Sequence, residues 1–266
     1  PQSRSSDQFI LDSEFVLHSK DFEVRLERLR RFVNEHLYAQ FLALIQGKLS
    51  ANTLQRNLTL LAEHTLDLGV TITCQEMGLT QSPIAIIGMG KLGMRAMAPM
   101  SDLDLIFVVN DDIDLELANR FSQRFQHLME LRTREGRAYE MDMRLRPSGR
   151  SGPVTVSMSS FKNYHFERAK TWEHIALCAG RSVAGDRQLL DQIDAVRAEV
   201  ITRPRDQSQF KLDAAKMLRR IQQQRVGKSK SSMIDIKLMP GGLMELDYMS
   251  ACICLNSLSD TSLVNC

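Results

Sequence analysis

The stretch of this sequence that most constrains its fold is "IAIIGMGKLG", residues 84–93, together with the short segment that links it to the next apolar run. Gly88, Gly90 and Gly93 satisfy the glycine spacing of a dinucleotide-binding fingerprint letter by letter. A dinucleotide fold, however, needs a crossover helix of about a dozen residues before its next strand can lie parallel to the first. Only eight residues separate Gly93 from Asp102, and Pro99 among them would break a helix interior. The next apolar run, "LDLIFVV", then begins at once. The glycines therefore read as a turn between two nearby strands, and NAD binding is not expected.

Helical periodicity surrounds this pair of strands. Phe22, Leu26, Leu29, Phe32, Val33, Leu37 and Phe41 recur at three- and four-residue spacings, the mark of one amphipathic helix. A second is expected from about Ser50 through Leu54, Leu58, Leu61 and Leu68 to a stop at Gly78. After the strands at 84–87 and 103–109, a helix is expected over 113–131 and a strand over 138–146. A loop at "PSGRSGP" comes next, with helices near Met158, Thr171 and Arg187 and over 209–225. "VGKSKSS" reads as a linker, "DIKL" as a short strand, and 243–258 as a closing helix. The pattern predicts an α+β chain in four segments: a helical one at 1–80, a core at 81–157, a helical extension at 158–226, and a linker with the start of a further helical region at 227–266.

Composition removes some function classes. A formal net charge of +2 provides no basic field for bulk nucleic-acid binding. No apolar run reaches the roughly 18 residues of a membrane span. Five cysteines without a scaffold-like pattern fit a reducing cytoplasm. The final "SLSDTSLVNC" meets no clear terminus, so the natural protein is expected to be longer.

The chemistry is carried by carboxylates. Asp102 and Asp104 stand two apart on a strand and project from one face. Two aligned carboxylates beside a glycine turn are a usual protein contribution to a magnesium site shared with nucleotide phosphates; an exposed strand end with two solvated acids is the alternative. In "YEMDMRLRP" the alternation puts Asp142, Arg144 and Arg146 on the polar face. Asp142 then completes a two-metal site or serves as base, while the arginines bind phosphate oxygens; an internal Asp–Arg ladder is the bland reading. Backbone N–H groups of the turn at Gly90 and Gly93, the charge of Lys91 and the hydroxyl of Ser101 are candidates for holding the triphosphate. Trp172, Glu173 and His174 read as packing or helix-surface groups, and Glu245 with Asp247 as acids answering a helix dipole.

Taken in order, "GMGKLG", "SDLDLIF", "YEMDMRLRPSGRSGP", "TWEHIAL" and "DIKLMPGGLMELDYM" resemble the motifs of bacterial glutamine synthetase adenylyltransferase over roughly residues 20–258. The resemblance implies a nucleotidyltransferase fold like that of DNA polymerase β, with a small mixed sheet flanked by helical segments. It implies Mg²⁺ on Asp102, Asp104 and Asp142, ATP as substrate, and glutamine synthetase as the protein modified on a tyrosine. That family carries two related catalytic halves, one adding AMP and one removing it by phosphorolysis, under control by glutamine and by nitrogen-regulatory P-II protein acting on the full-length enzyme. This chain is long enough for one half, and "YEMDMRLRPSG", "TWEHIAL" and "ITRPRD" look more like the C-terminal, adenylylating one. Where relatives usually carry a small residue, an acidic residue and another small residue, this chain has Met94, Ala96 and Met100. Methionine needs room and supplies no hydrogen bond, so these changes are expected to narrow the nucleotide pocket or leave it apolar. They leave open a divergent, non-catalytic regulatory domain, and the removing half of the same family is a further alternative to the adenylylating reading.

Overall fold

A computed structural model describes residues 6–226, 235–237 and 239–259. The chain divides into two compact units: residues up to Phe161 together with Gly180–Asp194, and Lys162–Ala179 together with the residues from Ala195 onward. The N-terminal helices share the first unit with the sheet.

In the first unit, α1 (Ser6–Leu17), α2 (Phe22–Ile45) and α3 (Ala51–Met77) precede the sheet. Local chemistry sets their limits. The side chain of Asp21 accepts from the Val24 N–H at the start of α2, and that of Ser50 from the Thr53 N–H at the start of α3. Gly78, at φ +66°, ends α3 in the left-handed conformation that favours glycine. Next come β1 (Ile84–Gly88), a single turn α4 (Gly90–Gly93), β2 (Leu103–Val109), α5 (Leu115–Glu130) and a two-residue β3 (Met141–Asp142). The unit is completed by β4 (Thr155–Ser157) with the start of α6 (Met158–Asn163), and by β5 (Arg181–Gly185) with the start of α8 (Arg187–Thr202).

The sheet runs β3-β2-β1-β5, with β4 also on β2. β1 lies antiparallel to β2 and to β5, while β3 and β4 run parallel to β2. The direct antiparallel β1–β2 pairing, Ile84 against Val109 through Gly88 against Leu105, leaves no place for a dinucleotide crossover. Leu103, Leu105, Phe107 and Val109 of β2 join Ile84 and Ile86 of β1 in one core with α2, α3 and α5. By the period of two, Asp104 faces away from that core. Gly69 brings α3 and α5 close: a Cβ there would sit 2.8 Å from a ring carbon of Phe125.

Among the described residues of this unit, one cation is wholly buried. The Arg30 guanidinium donates to the carbonyls of Leu26, Leu128, Leu131 and Gly136, tying α2 to the end of α5 and to the hairpin that leads to β3. Burial pulls its pKa down to about 10, so it stays charged at neutral pH.

In the second unit, the rest of α6 runs into a π turn at Tyr164–Arg168 and then α7 (Thr171–Cys178). The end of α8, α9 (Gln207–Val226) and α10 (Leu243–Ser259) complete it. Tyr164 OH and the Lys170 N–H both donate to the Glu173 carboxylate, and His174 Nε2 lies 2.9 Å from the His165 carbonyl. Glu245, buried in the first turn of α10, accepts from the Gly241 N–H and from Gln222.

Several expected elements differ. The strand expected over 138–146 is only Met141–Asp142, and "DIKL" is a turn over its described residues 235–237. β4 and β5 are strands that alternation did not mark, and most of "VGKSKSS" lies outside the described residues. The mixed helical and small mixed-sheet architecture agrees with the α+β expectation.

Candidate functional site

The carboxylates converge. Parallel pairing of β2 and β3 sets Asp142 beside Asp104, and Leu103 N–H donates to the Glu140 carbonyl at 2.9 Å just before that pairing. Asp102 enters from the residue preceding β2, and one oxygen from each of Asp102, Asp104 and Asp142 lies within 4.8 Å of the others. Asp102 is exposed and the other two are half-buried. Three acids this close repel strongly unless cations sit among them.

Arg144 supplies one cation. Its N–H and Nε donate to Asp142 at 2.9 Å, Nε also reaches the second carboxylate oxygen at 2.6 Å, and the guanidinium forms an ion pair with the same group. The Arg144 pKa is raised, first by the hydrogen bond to Asp142 and by its charge, and further by Asp104 and Asp102. Hard oxygen donors with this spacing would suit a divalent cation such as Mg²⁺.

The glycine turn packs directly on this cluster. Met89 N–H donates to the Asp104 carbonyl at 2.8 Å, and Gly90 has a φ of +53°. A Cβ on Gly90 would lie 2.8 Å from Asp104 Oδ2, so a larger residue would have to displace that carboxylate as well as adopt a left-handed backbone. From Gly90 the chain makes the single turn of α4 to Gly93. Lys91 Nζ reaches the Ser101 hydroxyl at 3.3 Å, and the same hydroxyl accepts from the Ala98 N–H at 3.2 Å. These two candidates therefore close the loop back to Asp102.

The remaining predicted residues lie elsewhere. Arg146 does not share the face of Asp142: its guanidinium donates to the carbonyls of Met143 and Gly152, bracing the loop after β3. The chain leaves the extended conformation after Asp142, so parity no longer aligns the two side chains. Met94 and Ala96 line a groove of about 770 Å³ against α3, with Asn52, Gln55, Arg56, Thr59, Leu60, Glu63 and Arg95. Met100 is fully exposed at φ +56°. Trp172 lines a separate groove of about 530 Å³ in the second unit, among Lys170, Lys216, Arg219 and Arg220. Periodicity could not have revealed Arg181, whose guanidinium bonds the carbonyls of Leu92 and Gly93 from a strand 88 residues further along the chain.

A glycine turn seated on a strand carboxylate, with a second carboxylate just upstream and a third from a parallel neighbour, is an arrangement that can hold divalent cations beside phosphate groups. Residues 11–196 match the family described as glutamate-ammonia ligase adenylyltransferase, and the chain belongs to that family. It is 34% identical over 255 residues to the bifunctional glutamine synthetase adenylyltransferase/adenylyl-removing enzyme of Mesorhizobium japonicum, covering 90% of this chain and 26% of that protein. The proteins of the same description from Bradyrhizobium diazoefficiens and Agrobacterium fabrum are 36% and 32% identical, over 88% and 91% of this chain and 25% and 26% of their own lengths. The chain thus spans about a quarter of the length of the curated relatives it matches.

Proposed function

We propose that this chain is a catalytic domain that transfers AMP from ATP to a tyrosine of glutamine synthetase, within a nucleotidyltransferase fold like that of DNA polymerase β. The observation that carries the reading is the convergence of Asp102, Asp104 and Asp142 within 4.8 Å beside the Gly90 turn. The core of the reading is the segment 81–157, with the helices of 158–226 as its extension. Asp102, Asp104 and Asp142 would hold Mg²⁺, which neutralises phosphate charge when bound.

The residues' own work is set by their places. The backbone at Gly90 is the part of the turn that would face the phosphates, since the Gly93 N–H is taken by the Met89 carbonyl, and Lys91 with Ser101 fixes the returning loop. Arg144, held at Asp142, offers a fork of donors to a phosphate oxygen. A tyrosine hydroxyl, with a pKa near about 10, needs a base to attack the α-phosphorus in line as pyrophosphate leaves. We assign Asp142 as that base. Arg146 acts through the 143–152 loop and not on substrate.

The test is Mg²⁺-dependent labelling of glutamine synthetase with α-labelled ATP, expected to be lost in Asp104→Asn; persistence at the unsubstituted level removes the carboxylate assignment. The relatives' description names adenylyl removal as well, so phosphate-dependent release of ADP from adenylylated glutamine synthetase is the second reading. We favour the adenylylating, C-terminal type of half on the motifs "YEMDMRLRPSG" and "TWEHIAL". Nitrogen-regulatory P-II protein would act through the longer protein. The free state of the described cysteines fits action in the cytoplasm.

A further inference from the structure

The turn that packs on Asp104 is held from behind. Arg181 opens β5, and a bulge in the β1–β5 ladder sets it in place: Ile86 pairs with Ala184 but Ile87 with Ser182, so Val183 is the extra residue and Arg181 comes opposite Gly88. Bulges re-aim side chains in this way. Arg181 Nε donates to the Gly93 carbonyl and Nη2 to the Leu92 carbonyl, each at 3.2 Å. The same Nη2 pairs with the carboxylate of Glu63 on α3. Both side chains are mostly buried, at 18% and 21% exposure. One planar fork thus joins β5, the last residues of α4 and α3, a task that the single point donor of a lysine cannot reproduce.

We propose that Arg181 and Glu63 form a positioning clamp for nucleotide binding, holding the glycine turn so that Gly90 stays against Asp104 and the turn backbone faces the triphosphate. This rests on the nucleotidyl-transfer reading. Close packing makes the clamp consequential. With no room for even a Cβ between Gly90 and Asp104, a shift of the turn's far end moves its near end relative to the carboxylates. Glu63 keeps the guanidinium neutralised and aimed, so the cation does not swing out to solvent. Arg181 acts on the turn and Glu63 on Arg181, neither on the carboxylate cluster, which makes them positioning residues.

The test measures, in the 266-residue chain, hydrogen exchange of the peptide spanning residues 88–94 and calorimetric binding of ATP with Mg²⁺. Arg181→Gln is expected to speed exchange in that peptide and to weaken ATP·Mg²⁺ binding roughly tenfold, the scale of one lost charge-assisted hydrogen bond. Circular dichroism should stay unchanged. Arg181→Lys should fall between, and Glu63→Gln, a gentler change that serves if Arg181→Gln misfolds, should act in the same direction. Unchanged exchange in the peptide overturns the clamp, as does a loosened turn with affinity kept within about twofold. The two proposals fail differently. If Asp104→Asn weakens binding and Arg181→Gln does not, the clamp alone is wrong; if the unsubstituted chain does not bind ATP·Mg²⁺, the nucleotidyl-transfer reading is wrong and the clamp goes with it.

Discussion

Replacing Gly90 by alanine separates the site from the fold. The geometry imposes two costs. At φ +53° an L-residue pays about 1–2 kcal/mol for the left-handed conformation. In addition, the new Cβ would stand 2.8 Å from Asp104 Oδ2, against the roughly 3.3 Å or more of an ordinary carbon–oxygen contact. The carboxylate or the turn must therefore give by about 0.5 Å. A misplacement of about 1 Å in a catalytic constellation costs about 100-fold, so a loss on the order of 10- to 100-fold in ATP·Mg²⁺ binding or adenylyl transfer is expected. The strain alone should lower the melting temperature by roughly 2–8 °C for a domain of this size. Gly47→Ala is the control: Gly47 has a φ of +68°, and nothing lies within 4 Å of its would-be Cβ. Both variants should lose similar stability by thermal melting, and only Gly90→Ala should lose nucleotide affinity by calorimetry. If Gly90→Ala binds ATP·Mg²⁺ as tightly as Gly47→Ala does, the contact with Asp104 does not matter to the site and the reasoning fails.

The same contacts set other expected outcomes. Arg30→Ala should cost about 3–5 kcal/mol in denaturant unfolding, because the carbonyls of Leu26, Leu128, Leu131 and Gly136 lose a buried charged donor. A loss below about 1 kcal/mol would show that water replaces it. Arg144→Gln should lower the melting temperature in a chelating buffer, since Asp142 loses its paired cation, and added Mg²⁺ should restore much of the difference; a deficit unaffected by Mg²⁺ would argue against a shared cation site. The pKa of His165 is pushed down to about 4, by burial first and by the charge of His174 second. Its neutral form is favoured in the fold, so between its ordinary value of about 6.5 and about 4 the unfolded chain binds the extra proton. Its contribution is therefore complete above about pH 6.5 and is lost as pH falls, by about 3 kcal/mol in all. His165→Gln should flatten the pH dependence of unfolding in that window, and an unchanged slope would assign it to other groups.

How far the sequence could be read depended on the range of the interaction. The limits of α3 were legible because Ser50 and Gly78 act on their own neighbours. The close approach of β1 and β2 was legible because eight residues with a proline cannot build a crossover. β5 was not: "RSVAG" is short and half-exposed, and it is a strand only because β1 offers its free edge. The alternation of "YEMDMRLR" was real, but a strand lasts only as long as its partner does, and the β2–β3 pairing ends at Asp142. That is why Arg144 remains with Asp142 while Arg146 turns into the loop. The methionines expected to crowd the phosphate turn instead point outward, Met94 onto the groove against α3 and Met100 into solvent.

By itself the sequence determined the alternation that puts Asp102 and Asp104 on one side of the chain, and the ease with which glycine takes the left-handed conformation at Gly90. Both are properties of covalent geometry over a few residues. The tertiary structure alone decided that Asp142, 38 residues beyond Asp104, lies beside it through a parallel pairing. It also decided that Arg181, 118 residues beyond Glu63, reaches the back of the turn. Such meetings depend on which surfaces bury together once loop-closure entropy has been overcome, and no local spacing encodes them.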